Sequence, residues 1–380
     1  MPPKISIITI TKVNNYGAEL QSFALQHKLQ MMGAYAEIID YLFYKNPEFR
    51  REKISEPFYP FPLKKRVKEY LLPIVEWIKA LPNRKANLRR AAGFEAFHKK
   101  NTRFSQKRYR SYSELYNAQL DYDIYCVGSD QVWNPSCFTN LNPYFLTFAP
   151  KDKHKFSYAS SFGVSSIPES AKEGYQLGLN NLDCISVRER SGVSLVKQIA
   201  NKEATEVVDP TLLLSSSEWH QVASTNKVPR GRYLLIYTLT DSPIATQAAI
   251  DIAKEKGLNV VRICKGAFVQ DKKESGITNI IDAAPDDFIG LFEHADFVVT
   301  NSFHGTVFSL IFNRQFLIYL KRGKANNSRQ EDLLKNVELS NRIVYEGDEP
   351  NKDAIDFSQA NALLANLKEK SEAYLKKHIE

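Results

Sequence analysis

Short runs of β-branched and aliphatic residues recur along this chain, and most are followed by a helix-length stretch. No other feature constrains the fold as much, because strands that alternate with helices in sequence form parallel sheets covered by those helices. In the first half, strands are predicted near residues 5–10, 36–41, 122–127, 156–161 and 184–188, with helices at about 18–31, 168–181 and 191–200. Residues 207–213 read as a strand leading into a crossover. A second alternating set follows, with strands at 233–238, 259–263, 297–300 and 316–320 and helices near 243–256, 285–294 and 304–312. Leu363, Leu364, Leu367 and Tyr374 recur at helical spacing and predict a terminal helix.

A chain of 380 residues exceeds one ordinary core. The pattern predicts an α/β protein of two doubly wound, Rossmann-like domains, 1–205 and 206–380, the second carrying the terminal helix. Two such domains are expected to face each other across a cleft. Open parallel sheets bind ligands beyond the carboxyl ends of their strands, so the loops that follow strands are where chemistry is expected.

Composition excludes several classes. Apolar residues make up 43% and charged residues 25%, which is ordinary for a globular chain. No apolar run approaches the roughly 20 residues a membrane helix needs. The N-terminal MPPKISIITITK is too short in apolar residues and too β-branched for a signal peptide. Cys126, Cys137, Cys184 and Cys264 lack the paired spacing of zinc or redox motifs and read as buried thiols of a cytoplasmic protein.

Charge is concentrated. Residues 50–110 hold 18 Lys/Arg against 5 Asp/Glu, a local charge of +13 in a chain of net +8, which leaves −5 elsewhere. A basic block in an otherwise acidic chain suggests a local anionic partner rather than nucleic acid. The block belongs to an interruption of the alternation, a basic helical insertion at about 43–118 in the first domain. Within it Leu71, Ile74, Val75, Ile78 and Leu81 share a helical face. That pattern suits peripheral contact with an anionic membrane or a lipid-linked substrate. It equally describes an insertion whose apolar face packs on its own domain, the commoner fate of an amphipathic helix.

Several loops after strands carry polar groups. Asn14, Asn15 and Gly17 suit a tight strand-to-helix turn whose amides would hold an anion or a sugar hydroxyl, and they equally suit plain turn chemistry. Ser129, Asp130, Gln131 and Asn134 surround Trp133 within GSDQVWN, a mixture that suits sugar hydroxyls and an aromatic sugar face. The small residues of YASSFG would let a ligand approach backbone. Arg188 ends a strand and would clamp a phosphate or carboxylate, or pair with Glu189. Asp209, before Pro210, would orient a basic partner or start a turn.

In TNSFHGTVFSLIF, His304 stands between a buried strand and a helix that begins at Gly305. Helix-start amides and the hydroxyls of Ser302 and Thr306 suggest an anion cradle beside a side chain that exchanges protons near neutrality. There is no G-x-G-x-x-G after a strand, no P-loop, and no metal-ligand spacing among the histidines; Asp121-Tyr-Asp123 precedes a strand and reads as a turn.

The segments NNYGAELQSFAL, GSDQVWNP, YASSFG, SVRERSG, VVDPTLLL, TNSFHGTVFSLIF and NNSRQEDLL resemble, in order, those of the polysaccharide pyruvyl transferase family, over roughly residues 4–345. The resemblance implies a two-domain fold like glycosyltransferase B. It also implies transfer of a pyruvyl group from phosphoenolpyruvate to a saccharide acceptor, free or lipid-linked, without metal or other cofactor. The product is commonly a cyclic ketal on a cell-surface glycan or its precursor. By the same resemblance His304 is the catalytic histidine, and Arg188 binds the donor's anionic groups with help from Arg329. Ser302, Gly305 and Thr306 belong to the donor side. Asn14, Asn15, Gly17, Ser129, Asp130, Gln131, Trp133 and Asn134 belong to the acceptor side. Several members carry Arg-Leu-His where this chain has Ser302-Phe303-His304, so a donor-binding cation of theirs is a serine here. Two other readings stay open: a nucleotide-sugar glycosyltransferase of the same fold, and a non-catalytic, membrane-associated scaffold of glycan biosynthesis.

Overall fold

Ile5, Ile7 and Ile8 are fully buried in strand β1 (Lys4–Ile8), which has a parallel partner on each side. A strand paired on both edges and covered on both faces must be apolar on both faces, hence the β-branched run. The computed structural model describes residues 2–264, 276–324 and 327–380. They form two units. The first comprises Met1–Glu69, His98–Leu213 and Ala365–Glu380, and the second Tyr70–Phe97 and Leu214–Leu364.

In the first unit α1 (Tyr16–Met31) returns the chain to β2 (Tyr35–Tyr41). Along the chain then come α2 (Leu63–Ala80) and α3 (Arg84–Asn101), whose residues 70–97 fall in the second unit, and, back in the first, β3 (Phe104–Tyr109), α4 (Tyr112–Tyr116), β4 (Ile124–Val127) and β5 (His154–Ser157). After α5 (Lys172–Asn180), the short strands β6 (Ser186–Val187) and β7 (Thr205–Glu206) flank α6 (Arg190–Ala200). The five-stranded sheet has the order β3-β2-β1-β4-β5, all parallel. Because β1 is flanked by β2 on one side and β4 on the other, the strand order reverses between β1 and β4.

The second unit opens with α7 (Ser216–His220) and β8 (Tyr233–Tyr237), followed by α8 (Pro243–Lys256), β9 (Asn259–Ile263), β10 (Ile277–Ile280) and α9 (Pro285–Glu293). It continues with β11 (Phe297–Thr300), α10 (Phe303–Ile311), β12 (Gln315–Leu320), α11 (Ser328–Asn336), β13 (Ile343–Tyr345) and α12 (Ser358–Ile379). Its parallel sheet runs β10-β9-β8-β11-β12-β13, with the reversal between β8 and β11. Each unit is therefore doubly wound and Rossmann-like, the pair of sheets from which a glycosyltransferase-B-type fold is made.

Four expectations need correction. Residues 207–213 are not a strand: Asp209 Oδ1 accepts hydrogen bonds from Thr211 N at 3.0 Å and Thr211 Oγ1 at 2.7 Å, and Pro210–Leu213 wind into a 3-10 turn. Proline offers no N–H to a ladder, and the aspartate caps the turn instead. The boundary expected at 205/206 lies at Leu213/Leu214. The end of α12 joins the first unit rather than the second: Tyr374 Oη donates to Ser157 O at 3.0 Å, and Ser371 Oγ accepts from Val208 N at 3.0 Å. The insertion at 43–118 contains an edge strand, β3. Its part Tyr70–Phe97 groups with the second unit, where Arg89 pairs with Asp282 at 2.7 Å and Arg90 reaches Cys264 O at 3.3 Å.

The apolar face of α2 does not pack inward; Leu71, Ile74, Val75 and Ile78 are all exposed, as is Leu81 just beyond the helix. No helix among the described residues is long and apolar enough to cross a membrane.

Candidate active site

The two reversals of strand order each gather a pair of loops, and the candidate residues collect there. Adjacent strands that send their connections to opposite faces leave a crevice at their carboxyl ends. In the second unit that crevice lies between the loops after β8 and β11. Asn301, which begins the loop after β11, spans it: its Oδ1 accepts from Leu239 N at 2.7 Å and its Nδ2 donates to Thr240 O at 3.0 Å and Thr240 Oγ1 at 3.2 Å. The sequence reading passed over Asn301, since a single asparagine after a strand is ordinary turn chemistry until its partners are known.

His304 follows, in the first turn of α10, with 9% of its surface exposed. Ser302 caps this helix; its Oγ accepts from Gly305 N at 3.3 Å, and its carbonyl accepts from Thr306 N at 3.0 Å and Thr306 Oγ1 at 3.1 Å. The hydroxyl of Thr306, expected to line an anion cradle, is thus fully buried and turned into the helix cap. Gly305 is required sterically: a Cβ there would lie 2.2 Å from Thr300 Oγ1. That close approach seats the helix start on the strand end and fixes where His304 emerges.

The Arg329 guanidinium lies 5.7 Å from the centroid of the Phe303 ring, and that ring meets the His304 imidazole edge-on at 5.2 Å. The next residue of α11, Gln330, donates from Nε2 to Asn301 O at 3.4 Å. So α11 brings a buried cation to the loop that carries His304, joining two residues 25 positions apart in sequence.

In the first unit the crevice lies between the loops after β1 and β4, tied by Thr9 Oγ1 donating to Ser129 O at 2.7 Å. Lys12 and Asn14 adopt left-handed backbone conformations, φ 58° and 51°. Asn15 caps α1, its Oδ1 accepting from Gly17 N at 3.0 Å and Ala18 N at 3.4 Å. Asn14 and Asn15 are exposed at this rim, whereas Gly17 is buried. Lys12 Nζ lies 2.6 Å from Asp40 Oδ2, which Arg108 also contacts at 3.1 Å. Burial lowers the Lys12 pKa, with Asp40 opposing it. Neither neighbour of Lys12 is near it in sequence, which is why this cluster was not anticipated.

Across the crevice, Asp130 is left-handed (φ 72°) and partly exposed, as are Gln131 and Asn134. Asn134 Nδ2 donates to Gln131 Oε1, so these two amides are presented together. Gly163 (φ 65°) closes in behind them; a Cβ there would lie 2.3 Å from Gln131 Oε1. The small residues of YASSFG therefore admit a side chain of the protein itself. Ser129 is fully buried, donating to Ala159 O at 2.9 Å.

Two assignments change here. Trp133 is no sugar platform: it is fully buried, stacks on Phe145 at 5.6 Å and 12°, and donates from Nε1 to Tyr144 O at 2.8 Å. An indole with its N–H satisfied inside an aromatic cluster is core. Arg188 has no exposed side-chain surface and is enclosed by Asp209 at 2.8 Å, Asp130 at 3.5 Å and Glu189 at 3.9 Å. Burial opposes its charge, but these three carboxylates outweigh it and hold the guanidinium above its ordinary pKa. Glu189 in turn accepts from Ser161 Oγ at 2.9 Å and Phe162 N at 3.1 Å. The arginine is thus a buried hub that holds Asp130 at the crevice.

Burial raises the thiols of Cys126, Cys137 and Cys184 above their ordinary pKa, which disfavours thiolate nucleophiles there. Among the described residues no group of three or more His, Cys, Asp or Glu is placed to hold a metal ion.

Solved structures to which the chain is similar include the UDP-N-acetylglucosamine 2-epimerase of Rickettsia bellii. It is 9% identical with a TM-score of 0.49, covering 97% of this chain and 88% of that one. The corresponding epimerase of Methanocaldococcus jannaschii is 11% identical with a TM-score of 0.48, over 96% and 92% of the two chains. The E. coli ADP-heptose lps heptosyltransferase II is 13% identical with a TM-score of 0.38, over 97% and 99%. A search of curated proteins finds no match. At the level of families the correspondence is direct: residues 15–320, which take in the loops after β4, β8 and β11 but neither Asn14 nor Arg329, match the sequence model of the polysaccharide pyruvyl transferases, and the chain belongs to that family.

Proposed function

We propose that this protein transfers the pyruvyl group of phosphoenolpyruvate to two hydroxyls of a saccharide acceptor, giving a pyruvate ketal and inorganic phosphate. The observation that carries this reading is that His304 and Arg329 both pack against the Phe303 ring beside the strand-order reversal of the second sheet. The donor needs one proton and one cation: a proton for its enol carbon, and a cation for its phosphate and carboxylate.

In this reading His304 donates its proton to the methylene carbon of phosphoenolpyruvate, leaving positive charge at the carbon that bears the phosphate ester. One acceptor hydroxyl attacks that carbon, and its proton restores His304. The second hydroxyl then forms the other C–O bond as the bond to phosphate breaks; its proton leaves with the phosphate. Atoms balance, since the methylene gains one acceptor proton and the phosphate the other. Arg329 holds the donor's anionic groups; Arg188, engaged by three carboxylates, does not contribute its charge to the donor. Asp130, Gln131, Asn134, Asn14 and Asn15 are among the partly or fully exposed polar groups of the first crevice and are assigned to the acceptor's hydroxyls.

The test is thermal unfolding and phosphate release with phosphoenolpyruvate, wild type beside His304→Ala, over galactose- and mannose-terminated acceptors. Stabilisation by phosphoenolpyruvate is expected, with acceptor-dependent phosphate release that the variant loses. Stabilisation only by nucleoside diphosphates would overturn the donor and make the protein a glycosyltransferase.

A further inference from the structure

Helix α2 presents its apolar stripe to solvent. Leu63, Val67, Leu71, Ile74, Trp77 and Ile78 are all exposed, Leu63 to 74% and Trp77 to 65%. At helical spacing these six fall within a sector about 120° wide, a full amphipathic face rather than scattered apolar residues. An ordinary helix with such a face buries it. Here the stripe is bordered by exposed cations, with Lys64 and Lys68 along one side and Arg66 on the other, and Arg84 and Lys85 continue the positive charge past the helix end.

We propose that α2 lies in the plane of an anionic membrane surface, its apolar face in the acyl boundary and its lysines and arginines among the headgroups. Charge decides the occupant. The helix carries five Lys/Arg and two Glu, within a segment of +13. A second copy of the chain would bring like charges together along the rim, whereas anionic lipid neutralises them. A tryptophan at the margin of the apolar stripe, flanked by basic residues, is also the pattern of helices that lie on bilayers rather than cross them. Docking of this kind does not depend on the donor or acceptor chemistry, and it is read without turnover.

The protein supplies its own reporter. Of its three tryptophans, Trp133 and Trp219 are fully buried and Trp77 is exposed. The full chain is mixed with vesicles of phosphatidylcholine containing about 30% phosphatidylglycerol, and with vesicles of phosphatidylcholine alone, at low salt and at about 1 M salt. A blue shift of tryptophan emission together with co-sedimentation is expected on the anionic vesicles at low salt only. Trp77→Phe should abolish the shift and keep the sedimentation. Replacing both Ile74 and Ile78 by Ser, or both Lys64 and Lys68 by Glu, should weaken binding on the order of tenfold or more. Failure to bind at low salt, or equal binding to neutral vesicles, overturns the proposal. So does concentration-dependent self-association without vesicles that the Ile74→Ser, Ile78→Ser variant abolishes, which would make a second copy the occupant.

Discussion

The guanidinium of Arg188 lies 2.8 Å from Asp209 Oδ2, and neither side chain has any surface exposed to solvent. This pair joins a strand end to a 3-10 turn 21 residues later and carries Asp130 with it at 3.5 Å. Its consequence for function is indirect: the arginine sets the position of an acceptor-side carboxylate.

Removing one member of this cluster leaves buried charge uncompensated. Arg188→Met is expected to cost about 3–5 kcal/mol of stability, since three carboxylates lose their common cation. Chemical denaturation measures this, and the fraction that remains folded should keep the wild-type KM for phosphoenolpyruvate. A raised donor KM with unchanged stability would return Arg188 to the donor.

Trp133 separates a packing role from a sugar-binding one in the same way. Trp133→Ala removes an indole from the Phe145–Phe162 cluster and should cost about 3–5 kcal/mol. Trp133→Phe keeps most of the volume but leaves Tyr144 O without its donor, a smaller loss of about 1–2 kcal/mol. In the folded Phe variant the acceptor KM should be unchanged; a marked rise there would restore the sugar platform.

Arg329 carries the donor's charge in the reading proposed above. Arg329→Ala should raise the KM for phosphoenolpyruvate by about 10- to 100-fold, the range of a lost charge-assisted contact. Arg329→Lys should recover part of this, because the ammonium supplies charge without the planar fork. His304→Ala differs in kind: it should lower kcat by about 10²- to 10⁴-fold with the thermal unfolding profile preserved. Initial-rate kinetics on both variants distinguish a binding cation from a proton donor.

His378 near the end of α12 gives a pH dependence. Burial, then the charges of His154 and Lys377, push its pKa down to about 4, and it packs against Phe156, His154 and Tyr374. The unfolded chain, with an ordinary imidazole, binds this proton at higher pH than the folded one. The contribution to stability is therefore full above about pH 6.5 and lost as pH falls from there toward about 4. Unfolding temperature should fall across that window, and His378→Phe should flatten the slope.

The central strands were legible because a strand buried on both faces is mostly apolar along its length: β8, β9, β11 and β12 are written as YLLIY, NVVRI, FVVT and QFLIYL. The four that the pattern passed over, β3, β7, β10 and β13, all lie at sheet edges, β7 in the two-stranded pair with β6. An edge strand keeps one side in water and tolerates Lys, Arg, Thr and Asn, as in FSQKRY and ITNI, so its sequence resembles a loop. The histidine loop was legible for a related reason. A serine between a buried strand and an apolar helical run is a helix-cap signal, and Ser302 does cap α10.

Local sequence by itself therefore determined the class of fold, the alternation that produces two parallel sheets, and the loops where polar groups collect, because periodicity and capping act over a few residues. Which polar group meets which was decided only by tertiary structure. Arg188 and Trp133 carry the same chemistry whether they face a ligand or the core, and the difference lies in partners brought from 21 and 11 residues away. Arg329 reaches the histidine loop because α11 folds back over α10, and α2 keeps its apolar stripe in water although its sequence reads like a core-facing helix. Burial is a property of the whole chain's packing, and no window of sequence contains it.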